Sequence, residues 1–178
     1  MKKFKRLVAL VLAGVLALGL LTACGTSTSE FNEKAEKQVV AAINSYRDEN
    51  ALLTNDSTLK AECAEVLTHV NADGMIPLGY ARQQKTETGT NGVVTLIVIG
   101  AETEKSYSFS NINDSNRNTL VNALAITPEN LTNYVSSVRA SVSKDKDLYN
   151  RLDAVGVATR TINGKTYLAM AMRLTIKK

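Results

Sequence analysis

The sequence predicts an α+β domain, helices packed on an antiparallel sheet, and three observations carry that expectation. Two stretches, Glu30 to Asn50 and Ser57 to Val70, repeat apolar residues at three- and four-residue steps, as does a third from Thr127 to Val142. Val93 to Ile99 is an unbroken, β-branched apolar run bounded by Gly92 and Gly100, the length and composition of a buried strand. Near the end, Asn163-Gly164 separates two strand-like runs, Ala154 to Thr161 and Thr166 to Ile176, which is the sequence form of a tight hairpin.

The chain starts outside that domain. Lys2, Lys3, Lys5 and Arg6 precede an uncharged run from Leu7 to Leu21 and then small residues up to Cys24, the layout of an export signal. The apolar run falls short of the roughly 20 residues that a membrane-spanning helix needs. Leu21-Thr22-Ala23-Cys24-Gly25 resembles a bacterial lipobox. That resemblance implies cleavage before Cys24 and lipid attachment to its sulfur, and several acyl chains anchor a protein where one would be marginal. The alternative is an ordinary cleaved signal. Residues 1–23 are therefore expected to be removed, residues 24–30 to form a lipidated cysteine and flexible leash, and residues 31–178 to form the globular domain. The expected location is the membrane, lipid-anchored and facing the extracytoplasmic side.

This division changes the charge argument. The chain carries 21 basic and 17 acidic residues. The four basic residues of the signal account for the whole excess, so the apparent pI of 9.1 describes the signal, not the domain. With no basic block, no tryptophan and few aromatic residues left, nothing favours nucleic acid as a partner. With Cys24 lipidated, Cys63 is the one remaining thiol, which excludes an internal disulfide. One histidine and one cysteine cannot furnish a four-ligand structural zinc site, so no metal and no cofactor is expected. Cys63 and His69, six apart on a predicted helix, would point in different directions, and Cys63 is expected to pack in the core.

Within the domain, the first helix is expected from Glu30 to Asn50, with Ala35, Val39, Ala42, Ile43 and Tyr46 on its apolar face. Asn55-Asp56-Ser57 announces the second, where Leu59, Cys63, Val66, Leu67 and Val70 form one stripe and Gly74 is placed as terminator. The short Leu52-Leu53-Thr54 connection should bring the two helices together. Gln83 to Asn91 reads as a polar passage before the Val93 to Ile99 strand. Lys105 to Ile112, with Tyr107 and Phe109 on one face, is the candidate partner of that strand. Thr127-Pro128-Glu129 supplies a cap, a first-turn proline and a first-turn acid for the third helix. On the last strand, Leu168, Met170, Met172, Leu174 and Ile176 are expected to face the core.

"INSYRDENAL" followed by "LTNDSTLKAECAE", together with "AVGVATRTINGKTYLAMAM", resembles the CAP family, the cysteine-rich secretory protein, antigen and pathogenesis-related domain also called SCP-like. The matching residues are Ile43, Asn44, Arg47, Asn50, Leu52, Asp56, Leu59 and Ala64 near the start, and Val155, Gly156, Val157 and Tyr167 near the end. The resemblance covers both ends and little of the middle. It implies an α-β-α sandwich with a central antiparallel sheet. Family members build a cleft around two histidines and two acidic residues that can hold a divalent metal. Here only His69 is present, in "HVNADG", and Lys144 in "SVSK" stands near the place of the second histidine, where an ammonium cannot serve as a metal ligand at neutral pH. The family's site therefore reads as dismantled.

What remains of it is a candidate cleft. Glu62, His69 and Asp73 share one flank of the second helix with Glu65 nearby, so an imidazole would meet carboxylates there. The opposing reading is a half-exposed histidine at a helix end, favoured by the helix dipole. Arg47 reads as a solvated surface charge. There is no Gly-x-Ser-x-Gly elbow and no phosphate loop. The expectation is a non-catalytic, surface-tethered CAP-like domain binding a lipid, a wall component or a protein of the bacterial envelope. The alternatives are a hydrolase using His69 and its neighbouring acids, or an unrelated accessory or solute-binding lipoprotein.

Overall fold

The computed structural model describes residues 28–87, 92–102 and 109–176. Cys24, its lipobox and the signal lie outside the described residues. The chain divides into two units, Met1–Phe31 and Asn32–Lys178. Of the first, residues 28–31 are described, as the opening turn of a helix.

That helix, α1 (Thr28–Ile43), buries Ala35, Val39, Ala42 and Ile43 as the periodicity predicts. It stops seven residues short of Asn50. Two short polar side chains outcompete the helix for backbone bonds. The Asn44 amide donates to the Leu53 carbonyl at 2.8 Å and accepts the Leu53 N–H at 2.9 Å, while Asp48 accepts the N–H of Asn50. The chain thus runs through two 3₁₀ turns, Asn44–Tyr46 and Glu49–Ala51. Helix α2 (Ser57–Val66) is capped by Asp56, whose carboxylate accepts the Leu59 N–H at 2.8 Å, and tightens into a 3₁₀ turn at Leu67–His69. Gly74 does not terminate it. With φ +81°, Gly74 closes the turn leading into the next strand, and its N–H bonds the Asn71 carbonyl.

The strands are β1 (Met75–Pro77), β2 (Arg82–Glu87), β3 (Gly92–Ile99), β4 (Ala101–Glu102), β5 (Leu120–Ala123), β6 (Ala125–Ile126), β7 (Ala154–Ile162) and β8 (Lys165–Ile176). A single-turn helix, α3 (Leu78–Ala81), joins β1 to β2. Helices α4 (Pro128–Lys144) and α5 (Lys146–Asn150) precede the terminal hairpin. Thr127 and Asn130 form a reciprocal capping box at the start of α4. At the hairpin, Asn163 and Gly164 both take positive φ, 49° and 75°, as an Asn-Gly turn requires.

All strand pairs are antiparallel, so the protein mixes helices with antiparallel sheet. One small sheet has the order β1-β5-β4. The larger is centred on β8. One edge of β8 carries β7 from Lys165 to Arg173, and the other is shared by β6 at Thr166–Tyr167 and β3 at Ala169–Ile176. Beyond β3 lies β2.

Two expectations change here. The passage from Arg82 to Glu87 is a strand despite its polarity, because β3 supplies it with a hydrogen-bonding partner. Residues 105–108 of the expected Lys105 to Ile112 strand lie outside the described residues. Phe109–Asn111 is a 3₁₀ turn, and β3 already has β2 on one edge and β8 on the other.

The core-facing set of β8 also changes. Tyr167, Ala169 and Ala171 join Leu59, Cys63, Val66, Ile97 and Ile99 in the main core. Leu168 and Met170 are buried on the opposite face, Met172 and Leu174 meet Leu148, Tyr149 and Leu152 there, and Ile176 is 44% exposed. β8 is covered on both sides, so neither alternation set is the solvent face. Helix α2 approaches its face so closely that only glycine fits at 156. A Cβ there would lie 2.4 Å from the backbone carbon of Leu59.

Candidate functional site

A cleft of ≈ 760 Å³ lies between β2 and the Phe109–Asn118 segment. Its second wall is a loop rich in asparagine, which knits itself together. Asn113 accepts the Ser115 N–H at 3.0 Å, and Asn116 accepts the Asn113 N–H at 2.9 Å while its amide donates to the Asn111 carbonyl. The loop is pinned to α3 through Gly79 N–H to the Arg117 carbonyl (2.7 Å) and Leu78 N–H to the Thr119 carbonyl (2.8 Å). A side chain at 79 would press on Arg117 at 3.1 Å.

The lining is polar and positive. Arg82, Lys85 and Arg117 line it with one acid, Asp114, among Gln83, Gln84, Asn113 and Asn118, with Tyr80 and Phe109 as aromatic surfaces, and Lys85 is shared with Glu62 of α2. Arg82 donates to the Ile99 carbonyl at 3.2 Å, and burial draws its pKa below the ordinary value, an effect that Tyr134 opposes. Burial pushes the Tyr134 phenol up to about 12 against the pull of Arg82, so it is neutral at ordinary pH. Arg117 lies 3.6 Å from Asp114 at an exposed position, a weak pairing that leaves its charge usable.

The sequence-derived candidates fall around this cleft unevenly. The His69 ring stacks on Tyr80, centroids 3.6 Å apart and planes 14° from parallel. Glu62 pairs with Lys85 at 2.8 Å. Each thus reaches the cleft through a residue that lines it. Glu65 is exposed, its carbonyl accepting the Thr68 hydroxyl, and Asp73 lies exposed in the turn built by Asn71. Among the described residues no three histidine, cysteine, aspartate or glutamate side chains are grouped to hold a metal ion. Lys144 is exposed at the last position of α4.

Cys63 is buried, and its thiol donates to the Gly156 carbonyl at 3.5 Å. Burial, reinforced by Glu62, pushes its pKa to about 12, which removes the thiolate that nucleophilic chemistry would need. Arg47 is not a solvated charge. Its guanidinium donates to the carbonyls of Ala51 (2.7 Å), Tyr149 (2.5 Å) and Leu152 (3.3 Å), tying the first helical region to the chain entering β7. The cleft residues Tyr80, Arg82, Lys85, Phe109 and Arg117 were missed by sequence reasoning. The one signal pointing towards them is the asparagine density from 111 to 118, which marks an ordered turn.

No family model matches the chain, and neither a curated protein nor a solved structure matches it.

Proposed function

We propose that the protein is a lipid-anchored binding domain of the bacterial cell envelope, held at the extracytoplasmic face through Cys24, with a divergent CAP-like α-β-α sandwich and a cleft for a polar, anionic ligand. The observation that carries the binding role is the cleft itself, ≈ 760 Å³ lined by Arg82, Arg117, Asp114 and a Lys85 paired with Glu62. A lining of amides and charges fits a wall component or polypeptide and disfavours an acyl chain. Binding is favoured over catalysis because His69 is engaged with Tyr80 and Glu62 with Lys85. Neither is presented as a free acid or base beside a nucleophile.

The CAP-like fold is supported by where the resembling residues act. Asn44 holds Leu53, Arg47 holds Tyr149 and Leu152, Asp56 caps α2, and Gly156 gives Leu59 room against β7. The last strand of the terminal hairpin, β8, lies at the centre of an antiparallel sheet, with α2 on one face and Leu148, Tyr149 and Leu152 on the other. Anchoring rests on the Leu21 to Gly25 pattern.

The test combines fractionation with co-sedimentation. The wild-type lipoprotein should partition with membranes and its Cys24→Ala variant should not. The domain should pellet with protein-free cell wall in a salt-sensitive way, and Arg117→Glu combined with Lys85→Glu should weaken this about tenfold. Salt-independent pelleting, or pelleting unaffected by the charge reversals, would refute the cleft reading. Release of soluble wall fragments by wild type but not by a folded His69→Ala variant would make the protein a hydrolase instead.

A further inference from the structure

We infer that the free edge of β2 accepts an extended, acidic polypeptide segment as an added strand. The inference rests on the cleft being the binding site and names the class of its ligand. Four consecutive residues, Arg82 to Lys85, line the same cleft. Side chains of a strand alternate between its two faces. A surface shared by four in succession is therefore the strand's edge, where its backbone is presented, and not one of its faces.

Hydrogen-bond directions agree. The Arg82 N–H points away from β3 and bonds the Leu78 carbonyl. In an antiparallel pair this direction repeats every second residue, so Gln84 and Thr86 turn their N–H and C=O groups to the same outer side. Among the described residues no strand pairs with β2 there. The opposite end of the sheet is treated differently. Along the outer edge of β7, Asn55 bonds both the N–H and the C=O of Val157, the Asp56 N–H takes the Val155 carbonyl, and Glu36 takes the Thr159 N–H. One edge is closed by the segment around Asn55 and by Glu36, and the other carries no strand among the described residues. A lysine on an edge strand ordinarily deters pairing. Lys85 is drawn instead onto Glu62 of α2, away from the backbone edge.

Size and charge set the occupant. Strand spacing, sheet spacing and rise give about 160 Å³ per residue of added strand, so the ≈ 760 Å³ cleft takes about five residues beside the six of β2. Arg82 and Arg117 favour an acidic partner, Lys85 being engaged by Glu62. A second copy of this chain would bring the same cations face to face, which disfavours self-pairing.

The probe is a short end-blocked peptide alternating glutamate and valine, offered to the full-length lipoprotein in detergent micelles. Binding is followed by fluorescence anisotropy and by residue-resolved amide exchange. The expected result is saturable binding with slowed exchange at Gln84 and Thr86, at least tenfold weaker for the glutamine analogue. Gln84→Pro removes an N–H that faces no strand among the described residues, and edge strands tolerate proline at such positions. It should weaken binding at least tenfold, while Gln84→Ala stays within twofold. A control independent of protein folding is N-methylation of the peptide's alternate amides, which should abolish binding in one register and spare it in the other. Equal losses for Gln84→Pro and Gln84→Ala, indifference to N-methylation, or concentration-dependent protection of Gln84 without peptide would overturn the inference. If the peptide fails while salt-sensitive pelleting with cell wall still depends on Arg117, strand addition is wrong and the cleft reading stands. If both fail, both are wrong.

Discussion

Replacing Gly156 by alanine should destabilise the domain by about 2 kcal/mol. Gly156 pairs with Ala171 in β8 and lies directly beneath α2. An added methyl would sit 2.4 Å from both the carbonyl carbon and the Cβ of Leu59 and 2.5 Å from the Lys60 nitrogen. Carbon atoms sit best about 3.5–4.0 Å apart, so α2 must withdraw by about 1 Å. The obstacle is helix backbone, which cannot swing aside as a side-chain tip would. The helix start is moreover fastened to the same strand by Asp56 N–H to the Val155 carbonyl at 2.8 Å and by the paired Asn55–Val157 bonds. Overpacking of this kind costs about 1–3 kcal/mol, here at the upper end. The lower entropy of an unfolded chain with alanine returns about 0.4–1 kcal/mol. At about 2–4 °C per kcal/mol for a domain of this size, Tm should fall by about 4–8 °C. Thermal melts by circular dichroism, checked by urea unfolding, measure this. Gly92→Ala, whose new Cβ would have no atom nearer than 3.9 Å, is the control and should leave Tm within about 2 °C. A Gly156→Ala protein melting at or above wild type would refute the close-packing argument.

Cys63 should resist iodoacetamide in the native state at pH 8 and react on unfolding, since burial holds its pKa near 12. Because the folded state keeps a proton that the unfolded thiol loses near 9.0, its contribution to stability is complete below that pH. It is lost as pH rises towards 12. Urea midpoints at pH 8 and 10.5 for wild type and Cys63→Ala should converge at the higher pH, and parallel curves would refute this. Arg47→Lys should cost about 2 kcal/mol in urea unfolding, because a single ammonium cannot reproduce the fork reaching Ala51, Tyr149 and Leu152. Wild-type stability in that variant would mean the fork is incidental. His69→Ala should cost no more than about 1 kcal/mol, the scale of an exposed ring stack, and should change cell-wall binding less than threefold. A tenfold loss of binding would place the imidazole in contact with the ligand.

The legible parts of the fold are those whose patterns answer to a single partner. Helices α1, α2 and α4 show one apolar stripe each, and the Asn163-Gly164 turn declares itself by composition. The illegible parts answer to two. β2 reads Arg-Gln-Gln-Lys-Thr-Glu because its edge borders a cleft and neither of its faces is buried in the core, so the alternation that marks a strand is missing. β8 misleads in the opposite way. Its large residues alternate convincingly, yet it is the small ones, Ala169 and Ala171, that face α2. Together with Ala158 and Gly156, opposite them in register, they form a flat seat that lets a helix settle close to the sheet. In such a seat small size, not hydrophobicity, is the signal. The end of α1 was misjudged because Asn44 and Asp48 decide it through specific backbone bonds, which periodicity does not register.

The site was hidden for a related reason. His69, Glu62, Glu65 and Asp73 stand out in the sequence because their side chains can do chemistry, but in the fold His69 and Glu62 are committed to Tyr80 and Lys85. The cleft is built from Gly79 to Lys85 and Phe109 to Asn118, two segments brought together by the bonds of Leu78 and Gly79 to Thr119 and Arg117. None of these cleft residues belongs to the motif that carries the family resemblance. Asn44, Arg47, Asp56 and Gly156 spend their polar groups or their missing side chain on joining the first helical region to the terminal hairpin. Such residues constrain the scaffold, while the charge on β2 and the asparagine-rich loop can change without disturbing it. On the proposed binding role, ligand choice rests with the cations of the cleft, and reversing Lys85 and Arg117 should redirect binding towards cationic peptides while Tm stays within a few degrees.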